Sequence, residues 1–411
     1  MRRLLNPVIG VAVLAGVVVA QQPLPMPPIL PAVNVVPAAK PAAPIDRFLS
    51  DPRAYPEATG QAVYSVRAGG DWLAKMHQSD GRFHAGFNPS LRLWLDDDSD
   101  TRQATAAVAL SRTAAFTGDA KLTAAATQAV LALLTLTKVD PADASVRVPT
   151  VAADRGNKVA FAALTVLAVC ELPAPDAKLL AKADELCAFL RKHLKPDGSV
   201  SAGDDRPSAA VPGLVFQALM ASDNWALTKW KCDAVANAVA YYRPVFKQTP
   251  SAELAGTLLP AVADFCLRVK SEGGCGFAFE MADRLCDSQY TAGDARNRGW
   301  VGGFKLTAGE PTASGLPCAH AAAAALHLAA QVPDATRFAK YRTATREALK
   351  FGRSLQLTTE GTRQFDKVYA AQVLVGGACG GPSDGCPRLE ATADLIAAQL
   401  RYLAGGGEKG E

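Results

Sequence analysis

Histidine is scarce in this chain, with five residues, and aromatic side chains make up only 7% of it. No cysteine pair has zinc-ligand spacing with histidines nearby, which leaves no basis for a structural metal site. Net charge is slight as well: 43 Lys and Arg against 39 Asp and Glu give +4. No basic cluster is interleaved with stacking aromatics, so nucleic acid is set aside as a partner. Sustained apolar/polar alternation is almost missing, which argues against a strand-based fold.

What is present begins with an apolar N-terminus. Residues 1–20, MRRLLNPVIGVAVLAGVVVA, carry two arginines, a hydrophobic middle and a small-residue exit, and read as a secretory signal cleaved near Ala20. The same stretch approaches spanning length, so an uncleaved copy would tether the protein to a membrane. Residues 21–45 are rich in proline and alanine without periodic spacing and read as a linker. The folded domain is expected over 46–404, with 405–411 as a tail, and the expected location is the periplasm or cell envelope. Export permits disulfides, but nine cysteines is an odd number. Cys170, Cys187, Cys232 and Cys266 sit in apolar helical patterns and read as small buried hydrophobes, whereas Cys379 and Cys386 in GGACGGPSDGCPR are the candidates for a local disulfide.

From residue 58 to 404 the apolar spacing is helical nearly throughout, strengthened by alanine-rich stretches such as RQATAAVALSRTAAF and HAAAAALHLAAQ. Twelve helices are expected, at 58–78, 101–116, 119–137, 156–172, 175–194, 208–222, 225–246, 250–270, 277–289, 312–331, 334–356 and 388–404. Links after the even-numbered helices are turn-sized (FTGD, ELPAP, SDN, SEGGCG, VPDA), and those after the odd-numbered ones are mostly long. The count predicts an all-α, (α/α)6 toroid of six antiparallel hairpins, with even helices inside and the long loops at one rim. The Asp-Gly of HQSDGRF (77–83) and of KPDGSV (195–200) is expected to stop the preceding odd helix in a left-handed turn.

The WLAKMHQSDGRF pattern, FEMADRLCDSQ, the GGF of 302–304 and the six-hairpin count together resemble the α/α-toroid proteins. These include six-hairpin glycosidases, polysaccharide lyases and terpenoid cyclases. The resemblance spans roughly residues 58–404 and implies the fold more than any one chemistry. It implies a carbohydrate ligand, cleaved or bound, with a non-catalytic scaffold as the alternative and a terpenoid cyclase as a further one. No cofactor is required by this reading, and a monomer is expected.

Function on such a ring belongs at the long-loop rim. Glycoside hydrolysis needs two carboxyl groups. Asp98 or Asp100, in WLDDDSDTRQ, is one candidate and Glu253 or Glu280 the other; Glu280 and Asp283 are equally spaced for an ordinary inter-helix ion pair. Elimination would instead need a base such as His84, His320, Tyr290 or Tyr369 beside an arginine. Arg102, Lys158, Arg206 and Arg388 stand near helix starts, against the dipole preference, and either pair with neighbouring acids or form an anion pocket together with residues such as Gln103. Phe83, His84, Trp94, Trp300 and Phe304 lie in long loops, placed to stack on sugar rings or to roof the core. The DDDSD of 96–100 formally contains a magnesium-diphosphate pattern, but in a loop, and the aromatic content is thin for a cavity that steadies carbocations.

Overall fold

The computed structural model describes residues 52–405 apart from 204–208, 226–227, 294–297, 307–310, 313–314 and 333. The signal and linker readings therefore fall outside the described residues. Helices α1 (Glu57–Met76), α3 (Ala120–Thr135), α5 (Ala177–Lys192), α7 (Lys229–Gln248), α9 (Glu272–Asp287) and α11 (Ala335–Ser354) form an outer layer. Inside them stand α2 (Asp100–Thr117), α4 (Lys158–Cys170), α6 (Ala210–Asp223), α8 (Ala252–Val269), α10 (Leu316–Gln331) and α13 (Leu389–Ala404). Each inner helix packs on the next, and α13 returns to α2, which closes the ring.

Burial separates the layers. In α4, twelve of thirteen residues are buried, because the helix is covered all round. In α11 only seven of twenty are, along one stripe. Small residues let the inner helices come close: a Cβ on Gly213 would strike the α8 backbone at Thr257, and one on Gly256 would lie 3.2 Å from the backbone nitrogen of Cys318 on α10. Side-chain caps fix many helix starts, among them Ser99 for α2, Asp119 for α3, Asn157 for α4 and Ser251 for α8.

The alternation of short and long links holds, with the even-numbered helices inside. Two details differ from expectation. The α8–α9 link is only Lys270–Ser271, since Lys270 turns in the left-handed region (φ 51°) and Ser271 caps α9, drawing the GGCG stretch into that helix. The long links also carry structure of their own. Three antiparallel hairpins occupy them, β1–β2 (Phe87–Asn88, Leu93–Trp94), β3–β4 (Thr137–Asp140, Asp143–Pro149) and β5–β6 (Ala378–Gly381, Asp384–Arg388), together with a short helix, α12 (Lys367–Val373). Cys379 and Cys386 on β5–β6 remain separate thiols: Cys379 is paired with Pro387 in the ladder, which turns Cys386 to the opposite face.

The Asp-Gly segments do not stop helices. Each forms the turn of a small closed loop, bridged by His77 and Phe83 in one case and Leu194 and Val200 in the other. Their glycines, Gly81 and Gly198, have φ of 85° and 90° and press on the backbone of the following outer helix, at Gln128 on α3 and Asn237 on α7. The arrangement recurs. Gln289 bridges Phe304, with Gly302 (φ 90°) against Glu347 on α11; Gln356 bridges Ala378, with Gly376 (φ 102°) against Ala68 on α1. The two glutamines add a clamp: Nε2 of Gln289 donates to the carbonyls of Gly302 (3.0 Å) and Ala344 (2.9 Å), and Nε2 of Gln356 to those of Gly376 (2.9 Å) and Ser65 (3.1 Å).

The docked glycines predict unequal costs for one substitution. Gly118, the left-handed cap of α2, has open space beside it, so Gly118→Ala should cost only the backbone strain, about 1–2 kcal/mol. Gly302→Ala adds a collision with α11 and should cost roughly 1–3 kcal/mol more, read as the difference in denaturant midpoints. Equal costs would show that the contact with α11 is immaterial.

Candidate functional site

The chain reaches the first inner helix through an acidic loop, and most of that acid is committed. Arg82 Nη2 donates to Asp98 Oδ2 (2.7 Å) and Asp100 Oδ1 (3.0 Å), and Arg155 Nη2 reaches the same two oxygens at 3.1 and 3.4 Å. Gln103, buried, accepts from the Phe83 backbone N–H (2.7 Å) and donates to the Phe83 carbonyl (2.8 Å) and to Asp98 (2.7 Å). Asp100 is only 4% exposed. Asp98, Asp100, Gln103 and Phe83 thus form a lock that holds the 79–100 loop on α2.

Beside the lock, alternating charges run along the cleft wall. Asp384 pairs with Arg388 (3.2 Å), Arg388 with Asp97 (3.2 Å), Asp97 with Arg102 (3.0 Å) and Arg102 with Glu390 (3.4 Å). Arg102 and Arg388 are therefore paired with acids, the plainer of the two expected readings, while still lining the cleft. Lys158, half-buried at the start of α4, makes no ion pair among the described residues. Arg206 lies outside the described residues.

The cleft itself, about 1010 Å³, opens at the long-loop rim, where the N-termini of α6, α8, α10 and α13 converge. Four carboxyls line it: Glu253 from α8, Asp384 from β6, where it pairs with Arg388, and Glu390 and Asp394 from α13. The two on α13 are four residues apart and share a face. Among the described residues, Glu253 and Asp394 have neither an ion pair nor a side-chain hydrogen bond. Asp394 lies one turn deeper than Glu390, surrounded by protein yet open to the cleft. Burial, reinforced by the Glu390 charge and only partly opposed by Arg112, pushes its pKa up to about 8. Burial and then the charges of Glu253 and Asp394 also raise the Cys318 thiol on α10, which lines the same cleft.

Other anticipated residues go elsewhere. Glu280 sits on outer helix α9, held by Arg243 (2.6 Å) and Lys247 (3.6 Å), and the Arg243 hydrogen bonds keep its carboxyl below the usual range. Asp283 pairs with Lys340 and Arg337 on α11. Trp94, 42% exposed, stacks on His84 with ring centroids 3.9 Å apart, away from the cleft lining. Trp300 is buried against Tyr290, and Phe304 is buried while lining the cleft floor. Tyr369 packs on Phe87. His320 lines a second cavity of about 520 Å³ at the short-turn end, where burial and then Arg112 and Arg401 drive its pKa well down. Among the described residues, no group of three His, Cys, Asp or Glu is arranged to hold a metal ion.

Glu390 and Asp394 were not among the sequence candidates for catalysis. A signal was available: acids four apart in LEATADLIAAQL, on a helix whose alternation rank already put it inside the ring, must face the lumen or be buried against apolar neighbours.

No protein-family model and no curated relative matches the chain. Solved structures do. A D-mannose isomerase superposes with a TM-score of 0.63 at 11% identity, covering 86% of this chain and 100% of its own. An unsaturated glucuronyl hydrolase specific for heparin gives 0.58 at 15% identity (84% and 97%), and the GH76A α-1,6-mannanase of Salegentibacter sp. HEL1_6 gives 0.58 at 11% (84% and 99%). At these identities the likeness establishes the fold alone, an (α/α)6 toroid.

The division between locked and open acids is testable through stability. Gln103→Ala strands the buried Phe83 amide and carbonyl and should cost about 2–4 kcal/mol. Glu280→Ala breaks a half-exposed pair on the outer layer and should cost about 1 kcal/mol or less. Chemical denaturation of the two variants beside the parent would reveal a misplaced lock if the order were reversed.

Proposed function

We propose that the cleft cleaves a glycosidic bond in an oligosaccharide or polysaccharide by acid/base chemistry. Asp394 is assigned as the proton donor, and Glu253 as the ionised partner that activates water or attacks. The observation that carries this reading is the pair of carboxyls on α8 and α13, flanking α10 at the mouth of the ring, that have no ion-pair or hydrogen-bond partner among the described residues. Hydrolysis requires one carboxyl that keeps its proton at working pH. A pKa near 8 gives Asp394 that property, since the group stays protonated below that pH. Glu390 tunes it: its charge raises Asp394, and Arg102 anchors it.

Hydrolysis is favoured over elimination because no histidine or tyrosine lines this cleft among the described residues. A cyclase reading is disfavoured because Asp97, Asp98 and Asp100 of the DDDSD run are each engaged by arginines. Arg284 and Lys305 add positive charge to the cleft lining, which supports a substrate bearing carboxylate or sulfate groups. The structural neighbours include sugar hydrolases and isomerases, and a carbohydrate ligand accords with that company. Export to the cell envelope, expected from residues 1–20, belongs to the same proposal.

The test is turnover of neutral and uronic-acid oligosaccharides, followed by reducing ends and by ultraviolet absorbance of unsaturated products. Asp394→Asn and Glu253→Gln should each lower kcat by about 10²–10⁴-fold. Parent activity should fall as pH rises through about 8, where Asp394 loses its proton. Asp394→Asn should also raise Tm at neutral pH. The folded state holds a proton on a carboxyl that is ionised when unfolded, with an ordinary pKa of 3.8, so native stability declines with rising pH between the two values, and an amide is free of that linkage. Binding without turnover in the parent would replace hydrolysis with a sugar-binding scaffold.

A further inference from the structure

The second cavity, about 520 Å³, shares no lining residue with the cleft. It lies among the C-terminal halves of α2, α6, α8 and α13, with His320 of α10 in its wall. Its volume is in the range of small-molecule sites, roughly 300–1,000 Å³. Alanines keep the space open: Ala115, Ala221 and Ala397 line it, and Ala115 is exposed although α2 is an inner helix.

Charge in this wall is balanced, while hydrogen-bonding capacity is left over. Arg112 Nε donates to Glu171 Oε1 (3.1 Å), Arg401 pairs with Asp264 Oδ1 (2.5 Å), and Arg268 pairs with Asp223. Each arginine therefore has its acid. The second oxygens of Glu171 and Asp264 have no partner among the described residues. The same holds for the amide oxygen of Gln217, whose Nε2 donates to the Thr257 carbonyl (2.7 Å). His320 makes neither a hydrogen bond nor an ion pair among the described residues. Burial and then Arg112 and Arg401 keep its imidazole neutral, so it offers one N–H and one lone pair. Three open oxygens need donors. A carboxylate or fully ionised phosphate would bring only acceptors to them, whereas a hydroxyl can donate there and accept from His320.

We propose that this cavity binds a small neutral polyhydroxylated ligand, a mono- or disaccharide, at a site separate from the cleft. Ligand hydroxyls donate to the open oxygens of Glu171, Asp264 and Gln217, another accepts from His320, and the C–H faces of the sugar ring rest on half-buried Leu267 and Leu400. The site is built from its own residues and stands whether or not the cleft cleaves sugars.

The chain has five histidines, so the full chain labelled with ¹⁵N-histidine gives a small set of imidazole NMR signals, and His320→Gln identifies the one from His320. Titration with D-glucose, D-mannose or maltose should move that signal saturably, and inorganic phosphate should leave it in place. Ala115→Trp and Ala397→Phe fill the space without removing a hydrogen bond, and each should weaken the sugar response by about 10-fold or more while the other imidazole signals keep their folded positions. The response should persist in Glu253→Gln, which separates this site from the cleft. A His320 signal that ignores all three sugars, one that follows phosphate instead, or a sugar response that survives both filling variants would overturn the proposal.

Discussion

Six helices close into a ring only when each can approach its neighbours closely, and the inner helices here manage this with alanine and glycine. At Gly213 and Gly256 the next helix passes so near that a side chain would meet backbone. That approach sets the width of the lumen. Because the wall is built of small apolar residues, any larger polar side chain on an inner face must project into the central space, where it finds a partner or stays available. Glu253, Glu390 and Asp394 in the cleft at one mouth, and His320, Arg112 and Arg401 in the second cavity, occupy those projecting positions.

Much of this was legible beforehand. Helical periodicity, alanine content and the alternation of link lengths gave the hairpin count and the assignment of even-numbered helices to the inside, because both follow from local chain physics. The roles of the Asp-Gly turns were not legible. A positive-φ glycine reads alike whether it ends a helix, as Gly118 does, or docks on a neighbouring one, as Gly81 and Gly198 do, and only the neighbour decides.

The site divides in the same way. Acidic clusters such as DDDSD draw attention in a sequence because they are dense, yet density invites arginines, and Arg82, Arg102 and Arg155 take up the charge. The carboxyls left open are isolated in their sequence surroundings. Glu253 was recognisable from its place at the start of α8. Asp394 required knowing which face of α13 turns inward, information contained in the spacing 390, 394, 397 and 401 of its lumen-facing residues.

The glycine of the last closed loop, Gly376, docks on the first helix of the ring at Ala68, and Gln356 of that same loop binds the Ser65 carbonyl. A linear solenoid has end repeats that fray before the middle does. Here the terminal hairpin seats on the initial one by the contact that Gly302 makes with α11. Mechanically the molecule has no end hairpin to peel away, and unfolding must open the circle before any hairpin can separate.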